Sequence, residues 1–176
     1  ALIGESQPSK IKFGIMCRGT SFAQWESTCI EKLLEISQVE CSLLIIDQES
    51  LEQKSRFSKF KQFRNPKTIL WNIYRIITHR QVKAVRSVNL ENKLNDVPSI
   101  YCKTIKKGKY SQYFHSENIQ EIMSHQLDFI LRFGFNIIRG EVLEVARYGV
   151  WSFHHDDEQK YRGTPPGFWE IYHGDP

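Results

Sequence analysis

A chain of 176 residues with 40% hydrophobic and 25% charged side chains has the size and apolar content of one globular domain with its own core. No apolar run approaches the roughly 20 residues that a transmembrane helix requires, and residues 1–10 form a polar lead-in without a signal-peptide core. The four cysteines form no Cys-x-x-Cys pair, which argues against zinc and favours free thiols in a reducing, cytoplasmic location.

The apolar pattern predicts strands and helices that alternate along the chain. The run at 41–46 is continuously apolar, as expected for a parallel strand covered by helices on both faces. Together with a strand at 12–17 and a helix capped by Thr20 or Ser21, it predicts a βαβ unit. Further strands are predicted at 96–103, 127–133 and 149–153, and further helices at 67–86, 116–124, 138–147 and from 168. This order favours an α/β fold: a Rossmann-like, open, mostly parallel sheet with helices on both faces.

Positive charge is concentrated in the middle of the chain. Residues 51–110 hold fifteen Lys or Arg against three acids, and the remainder of the chain is net acidic. We interpret 51–95 as a variable basic insertion in one domain that covers 11–176. The excess charge either keeps a solvated insertion in solution or attracts an anionic partner or a membrane surface. The amphipathic helix predicted at 67–86 likewise either packs on the domain or docks on a membrane surface or an acidic partner.

Three loops are predicted to meet at one edge of the sheet. Ligands bind to open α/β sheets where the parallel strands end. This rule brings together residues 18–20, 132–135 and 152–155, and we expect them to form a pocket.

The segment 149–175 carries the densest chemistry in the chain. It holds three histidines, Arg162 and several acids, beside backbone-restricting residues such as Gly163 and Pro165. Histidine exchanges protons near neutral pH, so this composition predicts a site loop that leads into a helix. His155 lies beside Asp156 and Asp157, but adjacent residues lack the spacing of a complete metal site, and no metal is predicted.

This segment resembles the formyltransferase family that uses 10-formyltetrahydrofolate, which includes methionyl-tRNA, glycinamide ribonucleotide and sugar N-formyltransferases. Gly149-Val-Trp-Ser-Phe-His154 stands where the family has Gly-x-x-Asn-x-His. Arg162-Gly-Thr-Pro-Pro166 matches the Arg-Gly segment that opens a helix in the family. The strand and glycine turn at 127–134 also fit, and the resemblance covers about 127–175 but not 51–95.

The resemblance implies transfer of a formyl group to the amine of a small-molecule or sugar acceptor, such as an amino sugar, a nucleotide sugar or a glycolipid precursor. It implies catalytic roles for His154, for Ser152 in place of the family's Asn, and for Asp156. The residues expected to contact the folate are Phe133, Gly134, Arg162 and Gly163. Those expected to contact the acceptor are Arg18, Gly19, Thr20 and His155. Because the family's own catalytic Asp lies further along, we expect the natural chain to continue past Pro176.

Ser152 and the acidic loop after His154 leave other hypotheses open. One is a related hydroxymethyl or carbamoyl-type transferase, or an enzyme that uses this fold without folate. Another is a non-catalytic module that binds an anionic partner through the basic region 51–110. Arg162 either binds a phosphate or carboxylate, or holds the loop by donating to carbonyl oxygens.

Overall fold

A five-stranded parallel sheet forms the centre of the molecule. The computed structural model describes residues 10–55, 69–70, 73–74, 77–78, 82–108, 110–153, 159–161 and 168–175. Within these residues the strands are β1 (Ile11–Cys17), β2 (Ser21–Ala23), β3 (Val39–Asp47), β4 (Ser87–Asn89), β5 (Ser99–Cys102), β6 (Thr104–Lys107), β7 (Ser111–Phe114), β8 (Phe129–Arg132), β9 (Ile137–Ile138) and β10 (Val150–Ser152). The helices are α1 (Gln24–Leu34), α2 (Gln48–Ser55), α3 (Glu91–Leu94), α4 (Ser116–Ser124) and α5 (Phe168–His173).

The order of the central sheet is β10–β8–β1–β3–β5, and each neighbouring pair is parallel. The chain moves outward from β1 through β3 to β5, then returns to the other side of β1 for β8 and β10. A crevice therefore opens between the ends of β1 and β8, where the direction of winding reverses. This topology confirms the predicted Rossmann-like α/β fold.

Alternating side chains of the central strands supply two cores, one on each face of the sheet. In β3, Leu43 and Ile45 face one core, while Leu44 and Ile46 face the other, and all four are at most 4% exposed. Each buried aliphatic side chain of this size contributes about 1.5–3 kcal/mol. The continuous apolar run at 41–46 thus reflects burial on both faces, as predicted.

Helices from different parts of the chain cover the two faces. Ile30 of α1 lies in the core with Leu44, whereas Ile122 of α4 lies in the core with Leu43. Leu90 and Leu94, around the short helix α3, are also buried in the α1 core. The end of the basic middle region is therefore part of the packed domain.

Two smaller sheets were missed by the sequence pattern. Strand β2 pairs with β4 antiparallel, and β6, β7 and β9 form a three-stranded sheet. The prediction of a helix cap at Thr20 or Ser21 was wrong, because Ser21–Ala23 is extended against Ser87–Asn89 and α1 begins at Gln24. The helix predicted at 138–147 is reduced to a 3-10 turn at Glu141–Glu144.

A buried amide links the small sheet to the crevice loop. Gln112 of β7 is 3% exposed, and its Nε2 donates to Thr104 Oγ1 at 2.9 Å. Its Oε1 accepts a hydrogen bond from the backbone N–H of Asn136, just beyond β8.

None of the helices in the described part of the chain has the length and apolar content needed to cross a bilayer.

Gly134→Ala should reduce the free energy of unfolding by about 1–3 kcal/mol. A Cβ atom at Gly134 would lie 2.8–2.9 Å from backbone atoms of Cys17, which cannot move away without shifting β1. Urea unfolding measures the loss.

Gly108→Ala is the matched control. Gly108 has a φ of +70° but no atom within 4 Å of an added Cβ, so only about 1 kcal/mol of backbone strain is expected there. If Gly134→Ala unfolds at the same urea concentration as the wild type, Gly134 does not lie as close to the backbone of Cys17 as described above.

Candidate functional site

The loops after β1 and β8 are joined at the reversal point of the sheet. The backbone N–H groups of Phe133 and Gly134 both donate to the carbonyl oxygen of Met16, each at 2.8 Å. Gly134 lies directly on the backbone of Cys17, at a distance that excludes any side chain. These contacts fix the floor of the crevice.

The predicted residues 18–20 lie beside this floor. Gly19 has a φ of +102°, a conformation that favours glycine, and the carbonyl oxygen of Thr20 accepts a hydrogen bond from Leu90 N at 2.9 Å. Arg18 is exposed. It lines a cavity of about 180 Å³ together with Cys17, Ser21, Phe22, Glu26 and Phe133.

A second cavity of about 180 Å³ brings the other two loops together. Its lining comprises Trp25, Glu26, Arg132, Phe133, Gly134, Phe135, Ser152 and Phe153. Of the predicted site residues, Ser152 thus shares a cavity with Phe133 and Gly134. Phe133 and Glu26 line both cavities, so the two are neighbouring parts of one crevice.

Aromatic rings form a wall of the crevice. Phe133 and Phe153 are nearly parallel, with centroids 5.9 Å apart, and Trp25 meets both edge-on at 5.6 and 5.2 Å. Phe153 is 49% exposed, which places part of its ring surface at the crevice opening. Such rings present flat apolar faces to a ligand and resist rotation because each contacts the others.

Glu26 is a site residue that the sequence analysis missed. Its carboxylate accepts a hydrogen bond from Ala23 N at 2.8 Å, at the start of α1. The carboxylate is half-buried between the two cavities. The cap predicted at Thr20 or Ser21 put the helix start two or three residues too early, since the observed cap is Ala23. Glu26 was therefore not recognised as an acid in the first turn of the helix.

Arg132 adds a positive charge to the cavity that Glu26 also lines. Its Nη1 donates to the carbonyl oxygen of Asn136 at 2.8 Å, and partial burial lowers the pKa of its guanidinium. An arginine remains protonated at neutral pH even so. The described lining of the crevice therefore offers one acidic group, Glu26, and two basic groups, Arg18 and Arg132, beside aromatic rings.

Cys17 cannot act as the nucleophile of this crevice at neutral pH. Burial raises the pKa of its thiol to about 11, and the negative charge of Glu26 contributes to the increase. Since the thiolate is the reactive form, only about one thiol in ten thousand would be ionised near pH 7. All four cysteines are free thiols, and burial likewise raises the pKa values of Cys41 and Cys102 to about 12.

Five predicted site residues lie outside the described part of the chain: His154, His155, Asp156, Arg162 and Gly163. The chain is described on both sides of them. Tyr161 Oη donates to Asp175 Oδ2 at 3.0 Å, Lys160 Nζ lies 3.3 Å from the same oxygen, and the rings of Tyr161 and His173 stack at 5.8 Å. The hydrogen bond from Tyr161, followed by the charge of Lys160, lowers the pKa of Asp175.

The described ranges contain no group of three His, Cys, Asp or Glu side chains placed to hold a metal ion.

No protein-family model matches this chain, and no curated protein matches it either. The interpretation of the crevice thus depends on its own geometry and on the sequence motifs that border it.

The buried Cys17 thiol should make stability depend on pH in the alkaline range. Between pH 9.0 and about 11 the folded protein keeps a proton that the unfolded chain releases, so the stabilisation is lost as the pH rises through this window. The difference in free energy of unfolding between wild type and Cys17→Ala should therefore shrink by up to about 2.7 kcal/mol. Urea unfolding of both proteins at about pH 8 and about pH 11 measures it. If the difference in free energy of unfolding between the two proteins does not change with pH, burial does not raise the pKa of the Cys17 thiol.

Proposed function

We propose that the crevice transfers a formyl group from 10-formyltetrahydrofolate to the amino group of an amino sugar, a nucleotide sugar or a glycolipid precursor. The observation that carries this proposal is the cavity shared by Gly134, after β8, and Ser152, at the end of β10. These strands belong to the part of the chain that resembles the formyltransferases. The described chain reaches the crevice at Ser152 and Phe153, directly before His154 in the sequence.

The size and chemistry of the described lining support binding of the reactive end of a folate. When bound, the folate supplies a formyl carbon that an amine can attack. A cavity of about 180 Å³ accommodates a planar ring system rather than a whole folate, so the remaining part of the donor would extend over the surface. Phe133 and Phe153 offer apolar ring faces for such a group, and the half-buried Arg132 offers hydrogen-bond donors.

In the proposed reaction, Ser152 stabilises the negative charge that develops on the formyl oxygen. It is exposed at the crevice, and its hydroxyl makes no hydrogen bond to any other described residue. A hydroxyl can donate to an oxyanion, as the family's Asn does. His154 would be the second donor in this arrangement.

In the proposed reaction, Glu26 accepts the proton that the acceptor amine loses. An amine must lose a proton in order to attack and form an amide, and a carboxylate in the crevice can accept it. Glu26 can also attract the protonated amine as it binds, because its charge is half-buried beside apolar rings. Asp156 remains the proposed alternative for this role.

Direct transfer to the amine fits the crevice better than a covalent thioester intermediate. The Cys17 thiol, with a pKa of about 11, stays protonated at neutral pH. The free thiols of all four cysteines support a reducing compartment, and we place the reaction in the cytoplasm.

The alternative of a purely electrostatic binding module through the whole region 51–110 is less well supported. Several lysines of this region are already paired with acids: Lys93 with Glu31, Lys103 with Glu52 and Lys106 with Glu49. Their charge is offset locally, so they add little to the attraction of an anionic partner.

Folate binding should depend on the aromatic wall. Titration calorimetry with 5-formyltetrahydrofolate, a stable analogue of the donor, should show binding that is about tenfold weaker in Phe133→Ala, because a ring contact worth about 1.4 kcal/mol is lost. Tyr101→Ala is the control, since Tyr101 lies on β5 at the opposite edge of the sheet and is 58% exposed. Absence of heat from a folded wild-type protein would remove the folate from the proposal.

Ser152→Ala should lower kcat by about 100-fold and change KM for the acceptor little, because the oxyanion donor acts in the transition state. Ser152→Asn should restore most of the activity, and His154→Ala should abolish turnover with folate binding retained. The turnover of all three variants is measured with amino-sugar acceptors, using absorbance to monitor the release of tetrahydrofolate. Wild-type kcat in both Ser152→Ala and His154→Ala would exclude these residues from catalysis.

A further inference from the structure

Apolar side chains at helical spacing are exposed among the described residues of the middle of the chain, and we call them the apolar stripe. Residues 69–70, 73–74 and 77–78 are helical. On a regular helix, positions 69, 70, 73, 74 and 77 fall within an arc of about 140°. Within it, Leu70 is 82% exposed, Tyr74 60%, Ile77 55% and Ile73 42%. A helix packed on the domain, one of the two possibilities predicted from the sequence, would bury this face.

The stripe lies in a stretch of uniform charge. Between Gln53 and Leu90 the sequence contains no Asp or Glu, and it contains the basic residues Lys54, Arg56, Lys59, Lys61, Arg64, Lys67, Arg75, Arg80, Lys83 and Arg86. Of these, Lys83 and Arg86 are described, both are exposed, and neither forms an ion pair with a described acid. Unlike the paired lysines at 93, 103 and 106, they are available to an external anion.

Exposed aliphatic side chains, followed in the sequence by unpaired cations, fit one class of partner. Nucleic acids bind through phosphates and through stacking of bases on aromatic rings, whereas three of the four exposed side chains, Leu70, Ile73 and Ile77, are aliphatic and cannot stack. A lipid surface offers both an anionic headgroup layer and an apolar layer beneath it, which matches exposed aliphatic side chains in a basic stretch of sequence. We propose that this protein docks on anionic lipid membranes through Leu70, Ile73 and Ile77, with Lys83 and Arg86 contacting the headgroups.

The proposed contact lies in the plane of the interface. Tyr74 belongs at its polar boundary, because its ring is apolar and its hydroxyl is polar. Such a contact is reversible, and it depends on both the apolar stripe and the charge. Membrane docking does not depend on the proposed formyl transfer, and either can fail without the other.

Co-flotation with vesicles tests the proposal on the full chain. The protein should float with phosphatidylcholine vesicles that contain ~30% phosphatidylserine, and not with phosphatidylcholine alone. Leu70→Ser and Ile77→Ser should each weaken partitioning about tenfold, and Lys83→Gln and Arg86→Gln about fivefold each. Circular dichroism checks that each variant is folded.

Matched controls lie outside the proposed contact. Ile171→Ser removes an aliphatic side chain that is 83% exposed on α5, and Lys32→Gln removes an exposed cation on α1, and neither should change partitioning. Three results would overturn the proposal: equal binding to both vesicle types, binding that survives Leu70→Ser together with Ile77→Ser, or no flotation of the folded protein with the anionic vesicles. If a protein that does not float binds single-stranded RNA, the charge is assigned to nucleic acid instead.

Discussion

The approach of Gly134 to the backbone of Cys17 is the constraint on which the candidate site depends. Two N–H groups of the loop after β8 share the carbonyl oxygen of Met16, so the ends of β1 and β8 are held at a fixed separation. A side chain at position 134 would push the two strand ends apart. The crevice, its aromatic wall and the position of Ser152 all follow from this contact, since each belongs to a segment that leaves one of these strands or the adjacent β10.

The central sheet could be predicted from the sequence because burial on both faces leaves a strong local signal. The run at 41–46 is uniformly apolar, and the structure shows its alternate side chains in two different cores. The convergence of three loops followed from a rule about parallel sheets, without any knowledge of side-chain contacts. For this reason the shared cavity of Gly134 and Ser152 was within reach of sequence reasoning.

Other features depend on pairings between distant residues and leave no local signal. Strand β2 is three residues long and is extended because it pairs with Ser87–Asn89, more than sixty residues away. Without this pairing, Ser21 is a reasonable helix cap, and the true helix start and the inward position of Glu26 stay hidden. Similarly, the stripe at 69–77 has the same periodicity whether it faces a core or the solvent, and its exposure could only be found in the structure.

The hydrogen bonds of Gln112 couple the β6–β7 hairpin to the loop that lines the crevice. Its Nε2 is satisfied inside the hairpin by Thr104, whereas its Oε1 finds its partner, the backbone N–H of Asn136, only in the loop after β8. In the folded protein, losing the Asn136 partner while Gln112 stays buried would leave an amide oxygen unsatisfied, at a cost of about 1–3 kcal/mol. A displacement of the loop after β8 is therefore opposed by the hairpin, which acts as a brace for one wall of the crevice although it contributes no strand to the central sheet.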